Sequence, residues 1–270
     1  MNYTGKTALV TGASAGIGEA FAEALAEKGA DLVLTARRGD RLNRLAAKLK
    51  EKFGTNAIVI EADLSRPDAP AMIADRLGAS GVEVDILVNN AGFGLPGAFH
   101  DAAWETHRDF IELMATSYAH LVRLFLPGMR TRGFGRIINV ASVAGLVPSA
   151  AGHTLYGATK AFLVAFSQAL AAENAGRDVR VSALCPGFTY SEFHDVNNMR
   201  GVVNELPKYM FMQARPVVLG ALKAVEARHV VYVPGLWNKF VVFLMRALPL
   251  PLAARLVKSQ AGKFRNAAGD

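Results

Sequence analysis

The stretch Thr7-Ala8-Leu9-Val10-Thr11-Gly12-Ala13-Ser14-Ala15-Gly16-Ile17-Gly18 decides the fold. Thr7–Val10 is a short run of strand formers. A glycine-rich loop follows at once, and behind it Ala20, Phe21, Ala24 and Leu25 recur at helical spacing. Strand, glycine loop and helix in that order form the context in which a helix N-terminus receives phosphate. Gly12 permits a tight turn, Gly16 lets backbone approach a pyrophosphate, and Gly18 lets the helix pack near the strand. Glycines in such a triplet also occur in ordinary loops. As the first strand–helix unit of the chain, this one predicts nucleotide binding.

The same unit repeats outward. The first helix ends near Lys28-Gly29, a C-cap signal, and Asp31–Thr35 reads as a second strand. A carboxylate at the end of this strand holds the ribose hydroxyls of NAD, whereas arginine accommodates the 2′-phosphate of NADP. The chain has Thr35-Ala36-Arg37-Arg38 and no acid there. Two guanidiniums suit a phosphate dianion, so NADP is favoured over the alternative that they merely start the next helix. Gly39–Phe53 is an amphipathic helix with Leu42, Leu45, Ala46 and Leu49 inward. Asn56–Ile60 is a third strand, and Asp63, beside Leu64, can accept from an adenine amino group or cap a helix. Asp68 is the better placed cap. Asp85–Val88 is a fourth strand ending in Asn89-Asn90-Ala91-Gly92. Small residues there admit a flat ligand, and asparagine side chains lock the loop.

A long helix is expected over Phe110–Arg130, with Pro127 near its end. Then come a fifth strand (Arg136–Val140), a helix (Tyr156–Ala175), a sixth strand (Val179–Leu184) running into Cys185-Pro186-Gly187, a helix (Arg215–Arg228) and a seventh strand (Val230–Val233). This alternation predicts a single α/β domain over residues 1–270. Its sheet is doubly wound, seven-stranded and mostly parallel, with right-handed crossovers and helices on both faces. Gly12, Arg37, Asp63, Asn90, Ser142 and Pro186 all follow strand ends, the edge where such sheets bind ligands.

Ser142 stands just past the fifth strand, and Tyr156 and Lys160 are one helical turn apart on one face. A phenol has a pKa of about 10 in water, too high for easy proton exchange at neutral pH. A neighbouring ammonium favours the phenolate, so Lys160 is expected to lower the Tyr156 pKa. Such a tyrosine gives a proton to a developing alkoxide or takes one from an alcohol, and Ser142 offers its hydroxyl to the same oxygen. Ser149 lies nearer in sequence but off the strand end, and reads as a loop serine. His153 and His194 have no companions at metal spacing, so no metal is expected.

Composition narrows the class. At 51% hydrophobic and 20% charged residues the chain is globular. One cysteine, Cys185, allows no internal disulfide and points to a reducing compartment. Met1–Lys6 has no signal-peptide pattern, and no apolar run reaches the ~20 residues of a membrane span, so a cytoplasmic protein is expected. The net charge of +7 comes without a basic run interleaved with aromatics, which argues against a nucleic-acid groove.

With these motifs in order, the chain resembles the short-chain dehydrogenase/reductase superfamily over residues 4–235. It is most similar to the NADP-preferring, DltE-like bacterial oxidoreductases. The residues that carry the likeness are Thr11–Gly18, Asn89–Gly92, Ser142, Tyr156 with Lys160, and Pro186-Gly187. The resemblance implies that Tyr156 is the proton donor to a carbonyl and that Ser142 positions it. Lys160 would hold the nicotinamide ribose and tune the tyrosine. Cofactor contacts are then expected from Gly12, Ser14, Gly16, Ile17, Gly18, Arg37, Arg38, Asp63, Leu64, Asn90, Ala91, Gly92, Pro186, Gly187 and Thr189, with Tyr156 and Lys160 themselves. It also implies a homodimer or homotetramer.

One position departs from the family. Met114 stands where such enzymes carry an asparagine that props a water on the proton route, and Ser117 is the candidate substitute. Residues 190–214, rich in Met, Phe and Tyr, are expected to lid an apolar substrate pocket, as the matching family segment does, with ordinary core packing the equal alternative. Residues 235–270 form an apolar and basic extension, expected as a helix that closes the pocket or an oligomer interface, with membrane-surface contact the lesser reading. The function expected is NADPH-dependent reduction of an apolar ketone or aldehyde, such as a 3-oxoacyl, steroid-like or other bulky carbonyl, or the reverse oxidation. The competing reading is a catalytically weak dinucleotide-binding sensor or scaffold, which Met114 alone favours.

Overall fold

The computed structural model describes residues 1–149, 151–152, 154–190 and 208–265. Seven strands, β1 (Thr7–Thr11), β2 (Asp31–Ala36), β3 (Ala57–Glu61), β4 (Ile86–Asn89), β5 (Gly135–Val140), β6 (Val179–Leu184) and β7 (Val231–Tyr232), make one sheet in the order β3-β2-β1-β4-β5-β6-β7. Every pairing is parallel. The order reverses between β1 and β4, which opens a crevice at their carboxyl ends.

The strands are apolar on both faces because helices cover both. Ala8 and Val10 of β1, Leu32 and Leu34 of β2, and Ile86 and Val88 of β4 face one layer. That layer is formed by α1 (Gly16–Ala26), α2 (Gly39–Phe53) and α7 (Ala214–Glu226). The intervening Leu9, Val33 and Leu87 face the other, with α3 (Ala69–Ala79), α4 (Trp104–Ile111), α5 (Ser117–Thr131) and α6 (Thr154–Glu173). Alternate side chains of a strand point to opposite faces, so the near-continuous apolar runs are what a doubly covered sheet requires. Phe21 of α1 is fully buried in this core, and its truncation to alanine costs about 3–5 kcal/mol.

Three expectations need correction. The single helix expected over Phe110–Arg130 begins earlier, as α4, and is interrupted by a π-helical turn at Glu112–Thr116 before α5. Met114 sits inside that turn, fully buried, with its sulfur against Gly92. Helical periodicity alone does not show the one extra residue a π turn holds. The C-terminal extension, expected as one closing helix, is two: α8 (Leu236–Ala247) and α9 (Leu250–Arg265). Pro249 between them cannot continue a helix, and its carbonyl instead accepts from the Leu252 and Ala253 amides. Asp68 does occupy the N-cap position of α3, but its side chain makes no cap hydrogen bond. His153, His194 and residues 191–207 of the expected lid lie outside the described residues.

Candidate active site

A cavity of about 610 Å³ lies at the carboxyl edge of the sheet. Its walls take in every residue expected at the cofactor or catalytic site except Gly18. The glycine loop between β1 and α1 is held by its neighbour after β4. The Asn90 side-chain amide donates to the Thr11 carbonyl at 2.9 Å and to the Gly12 carbonyl at 3.3 Å. The Thr11 hydroxyl accepts from the Asn90 and Ala91 amides at 2.8 and 3.0 Å. Gly12 has φ +64°, and a Cβ there would stand 2.8 Å from the Ala91 Cα. A Cβ on Gly18 would strike the Gly12 carbonyl oxygen, so Gly18 serves packing rather than the cavity wall. Ala15 provides no side-chain cap to α1, and the first-turn amides of a helix have no intrahelical acceptors. Those donors lie where Gly16 and Ile17 line the cavity, a cradle whose chemistry fits a diphosphate.

Arg37 and Arg38 close the end of the cavity beyond β2. The Arg38 guanidinium reaches the Ser14 hydroxyl, with Nη2 at 3.0 Å and Nε at 3.3 Å. The two sides of the phosphate region are thus tied together. Asp63 lines the wall with one carboxylate oxygen accepting from the Ser65 amide (3.0 Å) and hydroxyl (2.8 Å), which fixes its orientation.

The Tyr156 phenol and the Ser142 hydroxyl line the same cavity, and Ser142 Oγ donates to the Pro186 carbonyl at 3.5 Å. Ser142 Oγ also accepts from the Ala144 amide at 3.1 Å, so the loop after β5 aims it into the cavity. Lys160, buried one turn behind Tyr156, donates from Nζ to the Val140 carbonyl at 2.7 Å and lies 5.7 Å from the Tyr156 ring centroid. The expected lowering of the tyrosine pKa is not what the environment gives. Burial pushes the Tyr156 phenol up, and the neighbouring Ser142 hydroxyl pulls it back only in part. Burial drives Lys160 down to about 7. Both groups lose water, and desolvation penalises phenolate and ammonium alike.

Three wall-forming or supporting features escape sequence reading. Tyr118 is fully buried, and its hydroxyl donates to the Ala91 carbonyl at 2.8 Å. Its ring stands 5.9 Å from Lys160 Nζ. A tyrosine in an apolar helix gives no signal beyond core packing. Asn238 of α8 is buried at the cavity wall and donates to the Pro234 carbonyl at 2.8 Å. A Cβ on Gly187 would strike it, so Gly187 admits α8 to the site. An asparagine within the apolar run of residues 236–245 was the available signal. Ser149, read as a loop serine, is exposed yet also lines the cavity. Met114 and Ser117 do not line it. The Ser117 hydroxyl donates back to the Leu113 carbonyl at 2.8 Å, so its proton is committed within the helix. Among the described residues no group of three His, Cys, Asp or Glu could hold a metal.

Residues 6–200 match the family model described as short chain dehydrogenase. The chain belongs to the short-chain dehydrogenase family. It is an oxidoreductase of that family, although the likeness does not single out the DltE-like branch. It is 37% identical over 188 residues to the 3-oxoacyl-[acyl-carrier-protein] reductase FabG of Escherichia coli, covering 70% of this chain and 75% of that protein. Among solved structures it is similar to a short-chain dehydrogenase from Sphingobium yanoikuyae in complex with NADPH. The TM-score is 0.79 at 35% identity, over 90% of this chain and 96% of that one. It is also similar to the bulky-bulky ketone specific alcohol dehydrogenase from Comamonas testosteroni. There the TM-score is 0.74 at 33% identity, over 90% and 95% of the two chains. For a short-chain dehydrogenase the glycine loop, the Ser142–Tyr156 pair and the buried Lys160 all lie around one cavity.

Proposed function

We propose that this short-chain dehydrogenase is an NADP(H)-dependent reductase of an apolar ketone or aldehyde, or works in reverse on the secondary alcohol. The observation that carries the reading is that Ser142, Tyr156 and Lys160 converge on one cavity, with Lys160 buried and held by the Val140 carbonyl. A substrate oxygen placed between the two hydroxyls takes a hydrogen bond from Ser142 and a proton from Tyr156. The upward push on the phenol keeps Tyr156 protonated at neutral pH, the form a proton donor needs. Lys160, brought to about 7, takes up and releases a proton in the working range. NADPH, when bound, supplies the hydride.

NADP rather than NAD rests on Arg37 and Arg38, with Arg38 docked on Ser14 beside the glycine loop. A guanidinium pair matches a 2′-phosphate, and the Sphingobium relative is an NADPH complex. The substrate end is apolar: Phe93, Phe188, Met210, Trp237, Val241 and Val257 line it. Such a surface suits a bulky or long-chain carbonyl, in keeping with the 3-oxoacyl and bulky-ketone relatives. Residues 190–214 act as the lid, and a homodimer or homotetramer is the assembly. In that assembly the exposed Phe162, stacked on Phe166 at 5.5 Å, finds a cover.

The test is NADPH oxidation over a panel of 3-oxoacyl, steroid-like and aryl ketones, with Tyr156→Phe as control. Turnover with NADPH well above that with NADH, abolished in the variant, is the expected result. Dinucleotide binding without turnover of any carbonyl by the wild-type protein would overturn the reading in favour of a sensor or scaffold.

A further inference from the structure

The last two helices turn an apolar face to solvent. On one side α8 buries Asn238 and Val242 and lines the cavity with Trp237, Asn238 and Val241. On the other it carries Leu236, Phe240, Phe243 and Ala247, spaced by three or four residues and therefore in one stripe. Leu236 is 85% exposed, Phe243 71% and Phe240 53%. Across the Pro249 break, α9 also exposes apolar side chains: Leu250, 71% exposed, Leu252 and Leu256. Single exposed apolar residues are ordinary; a stripe along a whole helix, with further exposed leucines on the next, is not.

The charges that these two helices carry have one sign. Lys239 and Arg246, seven residues apart, border the stripe on α8 and are exposed, as is Arg255 on α9. From residue 235 to 269 the sequence has six basic residues and no Asp or Glu, against a net +7 for the whole chain. No helix of the described residues is long and apolar enough to cross a membrane. Large apolar side chains flanked on their own helix by cations match the boundary of an anionic bilayer, with rings among the acyl chains and ammonium or guanidinium at the headgroups.

We propose that the outer face of α8 and α9 docks this protein on an anionic lipid surface, with Leu236, Phe240, Phe243 and Leu250 entering the interface and Lys239 and Arg246 at the phosphates. Charge selects this occupant. A second copy docked by the same face would set like charges against each other around a two-fold axis. An acidic carrier protein would answer the cations but not the row of exposed Leu and Phe side chains. The face and the cavity share a helix, with Trp237 and Val241 on one side of it and Phe240 and Phe243 on the other. A membrane-dissolved carbonyl compound therefore meets the cavity mouth beside the lipid. This route rests on the reductase reading above; the docking does not.

The test uses the full-length protein with vesicles of pure phosphatidylcholine and of phosphatidylcholine with phosphatidylglycerol in equal parts, read by co-sedimentation. Partition into the anionic vesicles at low salt is expected, falling about tenfold in high salt or without phosphatidylglycerol. The double variant Phe240→Asp/Phe243→Asp and the double variant Lys239→Glu/Arg246→Glu are each expected to lose about tenfold. NADPH oxidation on a water-soluble ketone should persist in both. Absence of wild-type binding at low salt overturns the proposal, as does binding that neither variant weakens. So does a solution dimer that Phe240→Asp/Phe243→Asp dissolves while vesicles are ignored, or capture of an acidic carrier protein in place of vesicles. Vesicle binding without turnover would leave the docking standing and remove the reductase; turnover without vesicle binding would do the reverse.

Discussion

The two ends of the cavity are built in opposite ways. At the end formed by β1, β2 and β4 the wall is backbone: Gly12, Gly16 and Ala91, braced by the Asn90 amide and the Thr11 hydroxyl. At the end formed by α8 and α9 the wall is side chain: Trp237, Val241 and Val257, with Asn238 the one polar member there. Such a wall tolerates little change: a Cβ added at Gly12 would meet the Ala91 Cα at 2.8 Å. An apolar side-chain wall repacks at modest cost. The first end is therefore fitted to one invariant ligand part, and the second is free to suit the substrate.

The sharpest break in that comparison lies where the two ends meet. Tyr156→Phe should lower kcat by about 10³-fold while leaving NADPH affinity within about twofold, measured by steady-state kinetics and fluorescence titration. Equal losses in both would mean that the phenol holds ligand rather than moves a proton. At the backbone end, Gly18→Ala should cost about 1–3 kcal/mol of stability and weaken dinucleotide binding, because the new methyl strikes the Gly12 carbonyl. Denaturant unfolding reads the first effect and titration the second. Val241→Ala, at the side-chain end, should instead shift preference among ketones with little change in NADPH affinity. If it weakens NADPH binding as much as Gly18→Ala does, the contrast fails.

Smaller effects follow from charge. Arg37→Ala/Arg38→Ala should cut NADPH affinity by about 10–100-fold and leave NADH affinity nearly unchanged, since a hydrogen bond to a charged group contributes about 1.5–3 kcal/mol. Lys160 titrates at about 7 in the folded protein and at the ordinary lysine value when unfolded. Between those values the unfolded chain holds the extra proton, so stability from this group rises with pH above neutrality and is lost as pH falls back towards about 7. Lys160→Met should flatten that rise in Tm against pH. The smallest effect is expected at Met114→Asn, with turnover within about threefold and stability lower by about 1–3 kcal/mol, because the amide would be buried away from the cavity. A large gain in turnover would instead place a blocked proton route at this residue.

The same contrast governs what the sequence revealed. The backbone end was legible because glycines and strand-end polar residues have few other uses at that spacing. Gly12, Arg38, Asn90 and Ser142 come together because consecutive strands end on one edge. The side-chain end was legible only as apolar composition. Asn238 joins the wall through the packing of α8 against Gly187, a contact 51 residues distant in sequence that no local pattern encodes. The rise of the Tyr156 pKa escapes the sequence for a related reason. Spacing places a lysine one turn from the phenol, but the loss of water that raises the phenol belongs to the assembled core.

The π turn at Glu112–Thr116 holds one residue more than regular winding and passes α5 on in the same phase. Each residue of an α-helix turns it by about 100°. Loss of one residue inside the turn is therefore absorbed by a return to regular winding, whereas loss of a second would swing α5 by that angle relative to α4. The Tyr118 hydroxyl would then leave the Ala91 carbonyl, and Ser117 would turn off the buried side. The turn is thus one residue of slack in the chain that supports the loop after β4, and no more than one.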